Sequence, residues 1–140
     1  MKNHQKNSIL IVDDEKANLL FLNDILGSNY DLFMARTGLE AIEMANEDKP
    51  DLILLDIILP GMDGYEVLTI LKESEETREI PVIFISGLSS SDDEMKGLSL
   101  GASDYISKPF STAIVKFRVQ NQLKIKEQMQ QISKMSMHIS

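Results

Sequence analysis

Five short apolar runs punctuate the chain: Ser8–Val12, Tyr30–Met34, Asp51–Asp56, Pro81–Ser86 and Ala102–Ser107. The first, third and fourth are apolar without alternation, the pattern of strands covered on both faces. Between the runs, apolar residues recur at helical spacing. Ala17–Leu26 sets Leu19, Leu20, Phe21, Leu22, Ile25 and Leu26 around a helix that Gly27 can cap. Thr37–Asn46 opens on a Thr-Gly-Leu-Glu turn and puts Leu39, Ile42 and Ala45 on one face. Tyr65–Glu73 turns Val67, Leu68, Ile70 and Leu71 toward a core, and Ser91–Leu100 carries Met95, Leu98 and Leu100 before Gly101. Strand and helix alternate five times. That order predicts an α/β fold with a parallel sheet, right-handed crossovers and helices on both faces.

The last helical segment is longer than such a fold needs. From near Ser111 to Ser140 no Gly or Pro interrupts it. Val115, Gln122, Ile125, Met129, Ile132 and Ile139 follow three- and four-residue spacing, broken at Ser136, and Arg118, Lys124, Lys126 and Lys134 make the segment basic. A solvated tail and a short coiled-coil linker both fit, the apolar seam favouring the linker. The expected division is a disordered tail over residues 1–7, a domain over 8–122 and a helical linker over 123–140, projecting beyond about Gln122.

Composition narrows the function. The 140 residues carry a net charge of −8, which disfavours direct binding to nucleic acid or anionic lipid. There is no cysteine, so disulfides, thiolate zinc sites and cysteine nucleophiles are excluded. No apolar run approaches the roughly 20 residues of a membrane span, and Met1–Asn7 lacks a signal-peptide core, so a cytoplasmic location is the expectation.

In doubly wound sheets ligands sit beyond the carboxyl ends of the strands. There the first strand delivers Asp13-Asp14-Glu15, the third Asp56, the fourth Ser86-Gly87, and the fifth runs into Lys108-Pro109. Each has an ordinary explanation alone: helix caps for the aspartates, a strand-end cap for Ser86, a surface position for Lys108. Their convergence favours chemistry. Crowded carboxylates call for a cation, and all-oxygen donors select Mg²⁺, Mn²⁺ or Ca²⁺ over zinc. Asp56, directly after an apolar strand, is the candidate nucleophile for an aspartyl-phosphate. Lys108 and Ser86 can neutralise and hydrogen-bond the transferring oxygens, while Gly87 permits close backbone approach.

Ile11-Val12-Asp13-Asp14-Glu15, Leu54-Leu55-Asp56-Ile57-Ile58-Leu59-Pro60-Gly61-Met62-Asp63-Gly64, Ser86-Gly87 and Lys108-Pro109-Phe110 together resemble the receiver domain of two-component response regulators, over about residues 8 to 122. The resemblance implies a flavodoxin-like sheet of order 2-1-3-4-5. It implies that Asp56 accepts a phosphoryl group from a histidine kinase or phosphotransfer protein. It also implies Mg²⁺ held by Asp14, Asp56 and the backbone carbonyl of Ile58, with Asp13 acting through water. Ser86 and Tyr105 would form a switch acting on the face made by helix four, strand five and helix five, and the bond before Pro109 would be cis. Serine at position 86 departs from the commoner threonine. Ile58 and Leu88 occupy positions that tune phosphoryl lifetime, and neither can orient a water. Slow self-hydrolysis is therefore expected, and a half-life of only seconds in Mg²⁺ would refute it.

The resemblance further implies no turnover of an external substrate. The long helix resembles linkers to output domains such as diguanylate cyclases, a stand-alone receiver with an extended last helix fits equally, and dimers through helices four and five or the C-terminal helix are an expectation. A haloacid-dehalogenase-type phosphatase also uses an aspartyl nucleophile, but on its first strand; turnover of p-nitrophenyl phosphate discriminates. A phosphorylation-independent interaction module is disfavoured by the complete acidic set. His4 and His138 read as surface residues.

Overall fold

The computed structural model describes residues 6–88 and 90–139, with side chains up to residue 136. His4, the side chain of His138 and most of the tail expected over residues 1–7 lie outside the described residues. The order is β1 (Ser8–Val12), α1 (Lys16–Leu26), β2 (Asp31–Ala35), α2 (Gly38–Asp48), β3 (Leu52–Leu55), α3 (Gly64–Glu73), β4 (Val82–Ser86), α4 (Ser91–Ser99), β5 (Asp104–Ser107) and α5 (Thr112–Ile139). All pairings are parallel, and the sheet order is β2-β1-β3-β4-β5.

Two-residue alternation divides the apolar strands between two cores. Leu10, Val12, Ile53, Leu55 and Phe84 point toward α2 and α3. Ile9, Ile11, Leu52, Leu54, Ile83 and Ile85 point toward α1 and α5. Because both faces are covered, continuous apolarity is required rather than alternation.

The helices fall where periodicity places them, but some stripes are rotated from the expected ones. Leu39 is 62% exposed, and α2 instead meets the core through Ala41 and Ala45. Ile70 also faces outward, leaving Val67, Leu68 and Leu71 as the buried stripe of α3. Met95 is 64% exposed; α4 buries only Gly97, whose added Cβ would stand 2.8 Å from the Phe84 ring. Close approach of helix to sheet requires small residues, so the larger ones face outward. Leu20 and Phe21 are likewise exposed on α1, and Gly27 caps that helix in a right-handed conformation. Thr37 caps α2 by accepting from the Glu40 amide, and Asp63 with Glu66 forms a complete capping box on α3.

Contact between α5 and the body continues past Gln122. Leu123 is buried. A polar row one helical turn apart holds the same helix: Arg118 to both oxygens of Asp104, Gln122 Nε2 to the Ser103 carbonyl, and Lys126 Nζ to Asp51 at 2.9 Å. Asp51 also accepts the Ser8 amide at 2.8 Å. Burial works against the Asp51 carboxylate, but the Ser8 amide and Lys126 prevail, and its pKa is lowered. Its stabilisation is therefore present above the ordinary carboxylate pKa and lost as pH falls through the lowered one. Because the pair is partly solvated, Asp51→Asn should cost about 1 kcal/mol at pH 7. In urea titrations that difference should shrink as pH falls through the lowered Asp51 pKa. A pH-independent difference would assign it to packing.

Candidate active site at the carboxyl edge of the sheet

The chain reverses its winding between β1 and β3, which opens a crevice above those strands. The strand ladders pin its floor: the Asp13 amide donates to the Ala35 carbonyl at 3.1 Å, and the Asp56 amide to Val12 at 3.0 Å. Asp13 is 0% and Asp56 6% exposed, while Asp14 is more open. One carboxylate oxygen from each of the three lies within 4.8 Å of the others.

Lys108 enters from the end of β5. Its Nζ donates to Asp13 Oδ2 at 3.0 Å and to Asp56 Oδ2 at 3.1 Å. Its amide donates to the Ser86 carbonyl at 2.7 Å, the following bond to Pro109 is cis, and Phe110 stacks on Phe21 of α1 at 5.5 Å. Burial disfavours the ammonium, but the two carboxylates outweigh it, and the Lys108 pKa is raised. For Asp56, burial is the largest influence and pushes its pKa up. Lys108 opposes that and Asp13 reinforces it, so the net shift is upward. The carboxylate is costly in its ionised form even beside the lysine.

Ser86 is buried, its Oγ accepting the Leu88 amide at 3.2 Å. Tyr105 is turned inward and donates its hydroxyl to the Leu88 carbonyl. Burial is the main cause of its pKa being pushed up to about 12, so the phenol stays protonated and a donor. Ile58 donates its amide to Asp56 Oδ1 at 3.3 Å, and its side chain is 61% exposed. Gly87 borders open space: an added Cβ would meet nothing within 4 Å. The structure thus brings Asp13, Asp14, Asp56 and Lys108 together, with Ser86 and Tyr105 joined through Leu88.

Two neighbours of this site escape the sequence reading. Asn18, on the first turn of α1, donates its amide to Asp13 Oδ2 at 3.2 Å and to Glu15 Oε1 at 2.7 Å. Arg36, just after β2, donates to the backbone carbonyl of Asp14 at 2.8 Å. Arg36 follows an edge strand, so the strand-end rule could have found it; a lone Asn inside a helix has no comparable mark.

The donor set suits a hard cation: three carboxylates and no nitrogen or sulfur ligand. Fold and site together define a doubly wound α/β protein with an acidic crevice at its topological switch point. A family model described as "Response regulator receiver domain" matches residues 9–120, and the chain belongs to that family. A probable cyclic di-GMP phosphodiesterase of Vibrio cholerae is 42% identical over 126 residues, covering 90% of this chain and 29% of that protein. The response regulator PleD of Caulobacter vibrioides is 41% identical over 119 residues, covering 84% of this chain and 26% of that protein. The chain therefore spans under a third of the length of these relatives. The receiver domain of a sensor histidine kinase from Pseudomonas aeruginosa PAO1, with a magnesium ion coordinated in its active-site cleft, superposes with a TM-score of 0.79. It shares 28% identity, over 85% of this chain and 98% of that one. Members of this family are phosphoacceptor switches of two-component systems. Among the described residues no helix is long and apolar enough to cross a membrane.

Proposed function

We propose that Asp56 is the phosphoacceptor and that residues 8–122 form the switch, with 123–140 serving as a helical linker. The observation that carries this reading is the buried Asp56 carboxylate held between Lys108 and two further acids at the switch point. A carboxylate oxygen of Asp56 forms the new O–P bond as the N–P bond of a phosphohistidine breaks, and the departing imidazole keeps the electron pair. Lys108 is close enough to Asp56 to follow the developing charge on the phosphoryl oxygens. Ser86 supplies a hydroxyl once it gives up the Leu88 amide.

Asp14, Asp56 and the Ile58 carbonyl would hold Mg²⁺, or Mn²⁺ in its place, with Asp13 acting through water. The ion supplies positive charge against the transferring oxygens. The switch runs from Ser86 through Leu88 to Tyr105, since both side chains hydrogen-bond that residue's backbone. The chain catalyses only its own phosphorylation and dephosphorylation, in the cytoplasm, with a histidine kinase or phosphotransfer protein as donor. The output lies in a further domain, of the diguanylate-cyclase type that the linker resemblance suggests or of the phosphodiesterase type that the name of the Vibrio cholerae relative prints, and the greater length of both relatives supports a further domain. The exposed stripe Ile125, Met129 and Ile132 supports pairing of two linkers, and exposed Met95 and Leu98 support a dimer through α4.

Labelling by acetyl phosphate in Mg²⁺, followed by intact mass, tests the phosphoacceptor assignment. The same sample gives the lifetime: with Ile58 exposed and Leu88 apolar, hydrolysis should take many minutes or longer, and decay within seconds would contradict this.

A further inference from the structure

Asp13 is fully buried yet reached by three donors: the Glu15 amide on Oδ1 at 2.9 Å, and both Lys108 Nζ and the Asn18 side-chain amide on Oδ2. Lys108 is shared with Asp56 and is the donor that must leave when a phosphoryl group arrives. The Glu15 amide fixes one oxygen only. Asn18 is therefore the donor to Oδ2 that need not move during the reaction.

We infer that Asn18 is a positioning residue for the cation site, orienting Asp13 so that its carboxylate is already aimed when the ion arrives. This rests on the proposed role of Asp13 as a ligand acting through water. Three features favour it over a local helix contact. Glu15, at the helix N-cap position, makes no side-chain cap to the backbone. Asn18 Nδ2 instead spans the carboxylates of Glu15 and Asp13, tying an exposed acid to a buried one. Asparagine is also a weaker helix former than alanine or leucine, so its place on this turn is unexplained by helix stability. A neutral amide suits this position because it satisfies Oδ2 without adding a positive charge that would repel a divalent ion.

Groups that hold a metal's ligands from behind typically contribute 10- to 100-fold to affinity. Free Mn²⁺ measured by electron paramagnetic resonance, on the full chain, should therefore show about a 10-fold weaker dissociation constant for Asn18→Ala. Asn18→Gln, which keeps the amide, should recover most of the loss. Melting in EDTA should cost Asn18→Ala only a few degrees, because Lys108 Nζ still donates to Asp13 Oδ2. Mn²⁺ binding by Asn18→Ala within twofold of the wild type would overturn the inference. So would a glutamine variant as weak as the alanine one, or an affinity loss matched by a large drop in melting temperature. If the wild type itself binds no Mn²⁺, the metal-site reading fails, and this inference with it.

Discussion

Lys108→Met should destabilise the metal-free protein by about 3 kcal/mol at pH 7, the lower end of what removing one partner of a buried pair costs. The ammonium is the cation that Asp13 and Asp56 share. Without it, two nearly inaccessible carboxylates face each other with only amide donors. The Lys108 pKa is raised, so its contribution is complete below the ordinary lysine pKa and disappears only in alkali, as pH rises through the raised value. On the acid side the penalty fades as Asp56, whose pKa is already above the usual carboxylate value, takes up its proton. Urea denaturation in EDTA from pH 4 to 8 measures this directly. Mg²⁺ should narrow the gap between variant and wild type, since the ion takes over the role of the lysine. A variant as stable as the wild type in EDTA at pH 7 would show that the carboxylates do not depend on Lys108.

Gly64→Ala should cost roughly 2–3 kcal/mol, at the upper end of overpacking effects. A Cβ there would lie 2.4 Å from the Asp56 carbonyl oxygen and 2.7 Å from Ile57 Cα. Both are backbone atoms and cannot rotate away. Gly64 also donates its amide to the Ile57 carbonyl at 2.7 Å, so the start of α3 is pressed against the loop that carries Asp56. Displacing that loop shifts the carboxylate relative to Lys108, so slower phosphorylation should accompany the lost stability. Gly87→Ala is the control, because open space surrounds its added methyl group. Equal stability of Gly64→Ala and Gly87→Ala in urea titrations would refute the packing argument.

The strands were legible because burial on both faces leaves an unmistakable signature, as in Leu52–Leu55. Helix positions were legible too, but not always the buried stripe. Periodicity finds a helix without saying how closely it approaches the sheet. Where Ala41, Ala45 and Gly97 permit close approach, Leu39 and Met95 are pushed outward. The apolar pattern starts β5 early, at Ala102, because that residue is apolar and buried although it precedes the ladder. The basic residues of α5 have no visible partner in the sequence pattern, yet Arg118 and Lys126 pair with Asp104 and Asp51 of the body. Those partners lie 14 and 75 positions away, beyond any local pattern. Within the site, the residues at strand ends were legible because topology alone gathers them. Asn18 was not, since its role depends on a side-chain contact across the turn following β1.

The most direct test is the intact mass of the protein after incubation with acetyl phosphate, with and without Mg²⁺, beside Asp56→Asn. The expected result is a gain of about 80 Da, one phosphoryl group, that requires Mg²⁺ and is absent from the variant. An unchanged mass in the wild type, or the same gain in Asp56→Asn, would contradict the assignment of Asp56 as phosphoacceptor.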